Sequence, residues 1–378
     1  MGLLEELLDQ LLPRRPDAAR PQPHAVRRHL CRCGKPLFFR NSRCLACGRE
    51  VGYDPARLDL VMLPRPGWLR CANFESAGCN WLRPAADGDA HHGLCRACRL
   101  NHTVPDLSDA QNLAWWGRIE VAKRRLVSQL LSLGLPVASK VSEDPERGLM
   151  FDFLRAAPGQ PVLTGHAGGR ITLNVEEADD ARREQIRTAL HEPYRTLLGH
   201  LRHEVGHYYW DRLVAGTPWH ERFRFRFGDE RLDYAAALER HYAQGPAPDW
   251  PERCVSAYAS THPWEDWAET WAHYLHMLDT LDTAFSFGLT AEDVEIEFEP
   301  YRADALDAAA APGGEEFLRL VNGWLELTAV LNELSRSMGQ PDFYPFVLSR
   351  PAVAKLHFVH RVVRDAMASA SASARPRP

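Results

Sequence analysis

The 378 residues are 45% hydrophobic and 25% charged with a net charge of −5. This composition fits a soluble globular protein and excludes collagen, coiled coil or disorder throughout, while the length suggests two or three structural units. No apolar run approaches the roughly 20 residues of a membrane helix, and the first residues, Met-Gly-Leu-Leu-Glu-Glu, are acidic where a secretory leader would be basic, so a cytoplasmic chain without membrane contact is expected.

In chain order, Leu3, Leu4, Leu7, Leu8, Leu11 and Leu12 form a helical stripe that is too short to be stable unless it docks. Pro13 to Pro23 reads as an extended linker, so residues 1–28 are expected to be a helix and a linker. Charge then divides the chain: residues 1–103 hold 16 Lys+Arg against 10 Asp+Glu, and the remaining 275 hold 29 against 40. Between 14 and 49, ten basic residues face one acid, Asp17. A basic module thus precedes an acidic body, and its surface could contact nucleic acid or an acidic protein.

Residues 29–104 are rich in Gly, Pro and turn residues and hold eight of the nine cysteines. The spacings Cys31-x-Cys33-x10-Cys44-x2-Cys47 and Cys71-x7-Cys79-x15-Cys95-x2-Cys98 supply thiolates for two closed tetrahedral zinc sites. Gly34 and Gly48 would let backbone amides turn toward the sulfurs. The tight Cys31-x-Cys33 pair leaves His29 as a substitute ligand, His91, His92 and His102 compete with Cys71 and Cys79, and crossed pairing between the clusters stays open. A region this small needs metal to fold, so these sites are read as structural.

Beyond it, a helix capped by Asp106 or Ser108 carries Leu113, Trp116, Val121, Leu126, Leu130 and Leu133 up to Gly134-Leu-Pro136. Leu149–Leu154 and Arg170–Val175 read as strands. Helices follow at about 179–190, 193–214, 218–226, 231–243, 263–284, 315–337 and 350–369, and residues 371–378 read as a disordered tail. The fold class is α+β: a cysteine-rich ribbon, then a mostly helical domain over 105–370 with a small β-sheet.

That domain carries His203-Glu-Val-Gly-His207. At i and i+4 of a helix both imidazoles share a face and can bind one zinc ion, with Glu204 beside it as proton acceptor. A third ligand is expected from Tyr258–His276, where Pro263 opens a helix and Glu265, Glu269, Ala272 and His276 share a polar face. Two acids one turn apart among aromatics need a cation. Glu265 is therefore read as zinc ligand and Glu269 as the acid that orients a ligand histidine, with Glu269 or His262 as alternative third ligands.

An HExxH helix followed by a helix-borne glutamate and a second acid four residues later resembles the glutamate zincins. Tyr258 to His276 is similar to the third-ligand region of lethal-factor-type metallopeptidases, which implies that Tyr258 assists at the zinc. Together, CGKPLFFRNSRCLACG and WEDWAETWAHYLH resemble the bacterial family of zinc-binding metallopeptidases with an N-terminal zinc ribbon, over roughly 30–365. The 58 positions from His207 to Glu265 exceed the simple zincin spacing and imply an inserted segment near 215–255 that covers or shapes the cleft.

The implied activity is zinc-dependent peptide hydrolysis, with Glu204 taking the proton of a zinc-bound water and Tyr258 donating to the developing oxyanion. If Arg170–Val175 is an edge strand, it could pair with an extended peptide. The alternatives are a zinc-ribbon adaptor for protein or nucleic acid with an inactive HExxH domain, and a zinc hydrolase of non-peptide substrates. Cys254 is read as a buried bystander thiol.

Overall fold

Eight cysteines organise the N-terminal part of the chain. The computed structural model describes residues 23–157, 159–189, 192, 194–290, 294, 296–308 and 311–373, with backbone alone at 370–373. The expected leucine helix and nearly all of the linker lie outside them.

Antiparallel ladders join β1 (His29–Leu30) to β2 (Pro36–Leu37), β3 (Val51–Asp54) to β4 (Asp59–Met62), and β5 (Trp68–Arg70) to β6 (Leu82–Pro84). A single turn, α1 (Phe74–Ala77), separates Cys71 from Cys79. Phe39, Tyr53 and Trp81 form the small core, with successive ring centroids 4.9 and 4.7 Å apart.

Gly34 and Gly48 adopt left-handed φ of 79° and 69°, but their amides do not face sulfur. They donate to the carbonyls of Cys31 and Cys44 at 2.9 Å each, because a tight turn satisfies its own backbone first. The amides that do face Cys44 belong to Cys47 and Ala46, and they pull its thiol down to about 6.

The ribbon runs directly into the body. β7 (Asn101–Thr103) pairs in parallel with β8 (Met150–Leu154), and the sheet order is β7-β8-β10-β9, with β9 (Gly165–Ala167) and β10 (Arg170–Asn174) completing it. Residues on both sides of position 104 therefore share one sheet. β10 is an interior strand, so the condition for peptide pairing along it is not met: Arg170 pairs with Met150 on one side and Ala167 on the other. Gly168 and Gly169, at φ 54° and 84°, turn β9 back along it.

Helix α2 (Ala110–Ser132) is capped by Asp109, whose carboxylate accepts from the Gln111 and Asn112 amides. Asp106 and Ser108, the expected caps, bond to each other. The helices α3 (Asp180–Ala189), α4 (Leu197–Leu213), α5 (Trp219–Phe227), α6 (Tyr234–Gln244), α7 (Trp250–Arg253), α8 (Pro263–Ser286), α9 (Gly314–Ser337) and α10 (Arg350–Ser373) follow. α4 starts at Leu197, later than the periodicity implied, because the Thr196 hydroxyl caps it by accepting from the Gly199 amide at 3.0 Å. α10 continues through Ser373, so residues 371–373 are helical, where a disordered tail was expected. Alternating Ala and Ser tolerate helix once a buried face upstream has nucleated it.

α4 and α8 form the centre of the body. A Cβ at Gly206 would lie 3.0 Å from Ala268 Cα, so only glycine permits this approach, and Trp267 Nε1 donates to the buried Gly206 carbonyl at 2.8 Å. The strap at His24–Arg27 binds the far end of α8: the amides of His24 and Ala25 donate to Asp282 at 2.9 and 3.0 Å. Arg27, Arg125 and Arg202 all bond Asp279. Burial opposes the charge on Asp279, but the three guanidiniums outweigh it and hold the carboxyl well below its ordinary range.

α10 contributes two buried histidines. His357 Nδ1 accepts from the Asp307 amide at 3.1 Å, and His360 Nδ1 meets Tyr274 Oη at 3.0 Å; each Nε2 is buried without a partner among the described residues. Burial, reinforced at His357 by Arg361 and at His360 by His357 and Arg364, pushes them down to about 4 and about 3. Unfolded histidine binds protons below about 6.5, whereas these two refuse them, so stability falls as pH drops from 6.5 toward 4, at up to about 1.4 kcal/mol per pH unit for each. Urea melts across that window should show the loss, with a flatter slope in His357→Asn/His360→Asn; an equal slope would place the acid lability elsewhere.

Candidate metal centre

The eight ribbon cysteines form the two groups expected, without crossing. Cys31, Cys33, Cys44 and Cys47 make one, Cys71, Cys79, Cys95 and Cys98 the other, and within each group the ligand sulfurs lie within 4.8 Å of one another. Contacts of 3.6 Å for Cys31–Cys47 and 3.7 Å for Cys79–Cys95 exceed a disulfide bond and suit sulfurs arranged around an ion. Of the four competing histidines, none joins either group, and three are engaged elsewhere: His29 Nδ1 with Asp59 at 2.6 Å, His91 Nδ1 with Ser142 at 2.9 Å and His102 Nδ1 with Asp152 at 2.7 Å. The second group is fully buried and the first half-exposed.

A third donor set lies between α4 and α8. His203 and His207 share the α4 face turned to the α8 N-terminus, where Pro263 at the first turn fixes the helix start. His203 Nε2 is 3.0 Å from Glu265 Oε2, and His207 Nε2 is 3.6 Å from Glu265 Oε1. All three residues are buried.

Glu269, one turn beyond Glu265, accepts from His203 Nδ1 at 2.7 Å and from the Ser256 hydroxyl at 2.6 Å. A proton on Nδ1 leaves Nε2 with its lone pair facing Glu265. Glu265 Oε2 is buried and has no hydrogen-bond partner among the described residues. Two imidazole nitrogens and a carboxylate that converge in this way fit a divalent cation.

The other sequence candidates lie close by or away from the centre. His262 is the N-cap of α8; Nδ1 accepts from the Trp264 amide and Nε2 donates to the Leu232 carbonyl, each at 3.1 Å. His273 bonds Tyr344, and His276 accepts from Arg202. Tyr258 is half-buried on a short turn, its ring 5.9 Å from that of His203. Cys254 is buried, its sulfur 3.8 Å from Lys355 Nζ, beside the buried Lys355–Asp266 pair at 2.5 Å.

Glu204 is buried, with Oε1 3.4 Å from His200 Nε2 and Oε2 unpartnered among the described residues. His200 Nδ1 bonds Glu177 at 2.5 Å. Burial disfavours the imidazolium, but Glu177 and Glu204 prevail and raise His200 to about 10. Sequence reading missed His200, although it stands one helical turn before Glu204. Nothing in the sequence pointed to Glu177, Ser256 or Tyr234, which reach the site from distant segments. Trp264, whose ring lies tilted with its centroid 3.9 Å from that of His207, was visible as an aromatic without an assigned role.

The fold and donor sets define a zinc-binding protein in which a double four-cysteine ribbon is joined to an α+β body. Residues 28–109 match the zinc-ribbon domain family, and residues 112–362 match the family described as "Putative zinc-binding metallo-peptidase", to which the chain belongs. It is similar to an uncharacterized protein of Mycobacterium bovis and to uncharacterized proteins of two Mycobacterium tuberculosis strains, each 44% identical over 339 residues, or 89% of this chain and 95% of the relative. No solved structure gives a significant match. Among the described residues, no helix is long and apolar enough to cross a membrane.

Proposed function

We propose that the chain is a zinc-dependent metallopeptidase that hydrolyses peptide bonds, with His203, His207 and Glu265 as catalytic ligands and two structural zinc ions in the ribbon. The observation that supports this most directly is the convergence of the three buried ligand side chains, whose donor atoms lie within 4.8 Å of one another. Bound zinc would supply Lewis acidity, acidifying a water and polarising a carbonyl.

The chain's own residues supply the rest. Glu204 accepts the water proton on its free oxygen and returns it to the leaving amine. His200, charged between Glu177 and Glu204, holds Glu204 ionised and fixes its rotamer. Glu269, itself bound by Ser256, fixes the tautomer of His203. Tyr258 donates to the developing oxyanion; burial, then the nearby Glu265 carboxylate, pushes its phenol far up, so the proton stays available. The edge strand β9, packed beside α4, is the ledge along which an extended peptide would pair. Eight thiolate ligands suit a reducing, cytoplasmic compartment.

Metal analysis tests the assignment. Wild type should hold three zinc ions, one per donor set, and His203→Ala should lose one together with cleavage of a broad peptide library. Unchanged zinc content in the variant would refute the site.

A second reading has its own observation. Arg28, Arg32, Lys35, Arg40, Arg43 and Arg49 are exposed, and among the described residues none forms an ion pair. This face suits an acidic partner, protein or nucleic acid. Binding by wild type that is sensitive to salt, with no peptidase activity, would favour the adaptor over the enzyme.

A further inference from the structure

The segment between α5 and α8 reaches the metal centre through two side chains, His241, whose ring packs edge-on to Tyr258 at 5.6 Å, and Tyr234. Tyr234, the first residue of α6, donates its hydroxyl to Glu265 Oε1 at 2.6 Å. Its ring packs edge-on to His262 and Trp264, with centroids 5.3 and 5.8 Å apart. The hydroxyl therefore holds one oxygen of the glutamate, and the other, Oε2, is left toward His203 Nε2 at 3.0 Å.

The segment that carries Tyr234 is held lightly. Of the eleven residues of α6, Ala237 alone is buried, so detaching the helix uncovers little apolar surface. On one side, Glu230 is anchored to α5 by Arg224 and by His220 at 2.9 Å. On the other, the helix ends at Gly245, in the left-handed region at φ 81°. Between these points, its hydrogen bonds to the α8 region among the described residues are those of the Tyr234 hydroxyl and of the Leu232 carbonyl, which accepts from His262 Nε2 at 3.1 Å. A segment with few buried apolar contacts and few tethers belongs to the part of a protein that opens first. Yet it lies over ligands that are themselves buried.

We propose that residues 231–244 form a lid over the metal centre and that Tyr234 is its latch, a positioning residue whose hydroxyl holds Glu265 Oε1 and so keeps Oε2 turned to His203. This rests on the metal-centre reading above. Closing the lid delivers the hydroxyl to Oε1 and stops the carboxylate from rotating; opening it releases Glu265 and admits a peptide. The substrates implied are flexible, extended segments that fit beneath a single short helix, not surfaces of folded proteins. A ligand glutamate oriented by a residue on a mobile segment also makes zinc retention depend on closure.

The test compares Tyr234→Phe with Tyr242→Phe, an exposed tyrosine on the same helix, in the full-length zinc-loaded protein. Tyr234→Phe should weaken zinc at the third site by about 10-fold in chelator competition, the lower end for loss of a residue that orients a ligand. Amide exchange in 231–244 should quicken, and kcat should fall more than KM changes. Tyr242→Phe should behave as wild type. If Tyr234→Phe leaves both zinc affinity and lid exchange unchanged, the latch is refuted. If instead His203→Ala shows that the third set binds no zinc, the metallopeptidase reading fails separately, and exchange in 231–244 still decides whether Tyr234 holds the segment.

Discussion

Glu204→Gln should leave the zinc content intact and lower kcat by about 10²–10⁴-fold, the range expected when a positioned general base is lost. Glutamine keeps the shape of the side chain and a hydrogen-bond acceptor for His200, so the local packing has no reason to change. What it removes is basicity at Oε2, the oxygen that is buried and without a partner among the described residues. KM should move little, because in the proposed mechanism the carboxylate acts on the water and not on the ground-state peptide. The measurement is steady-state kinetics on a cleaved peptide beside metal analysis of the same sample. Activity retained within about tenfold would remove Glu204 from the role of base and point to another acceptor.

Cys95→Ser should be the most damaging change to folding. Cys95 and its three neighbours are buried in a site shared between ribbon and body: Cys98 Sγ lies 3.7 Å from Glu120 Oε2 on α2, and β7, which begins three residues after Cys98, is the outer strand of the body's sheet. Structural zinc in small four-ligand sites is worth about 10–16 kcal/mol of apparent folding free energy, as much as the whole stability of an ordinary domain at about 5–15 kcal/mol. Losing it should therefore unfold the body as well, seen as collapse of soluble yield and of the cooperative thermal transition. Cys47→Ser, in the exposed group, should lose one zinc ion yet keep a folded body. Equal tolerance of both changes would show that the second site is not shared in this way.

How much of this was legible in the sequence depends on how locally each feature is encoded. The long helices were placed within a few residues because their apolar periodicity is local, and the cysteine groups because ligand spacing is. The convergence of His203, His207, Glu265 and Glu269 was readable from two short segments, since helical spacing alone sets which side chains share a face. The cap of α2 was misplaced because Asp106, Ser108 and Asp109 offer the same chemistry within one turn, and tertiary packing chose among them. Whether β10 lies inside the sheet or at its edge was left open because strand order depends on the Gly168–Gly169 reversal, which pattern alone does not reveal. Tyr234 and Glu177 were invisible for the same reason: their partners lie 31 residues on and 23 residues on, with no periodicity linking them.

The parallel pairing of β7 with β8 has a consequence for how this chain can be cut. β8 reads Met-Phe-Asp-Phe-Leu, and Phe151 and Phe153 are fully buried. Removing the cysteine-rich part up to position 104 would strip away its neighbour and leave an apolar strand with a bare row of amides and carbonyls, a template for self-association. The ribbon thus shields the body from aggregation. A protease that trimmed the chain between them would not liberate a smaller folded body but create a species prone to precipitate.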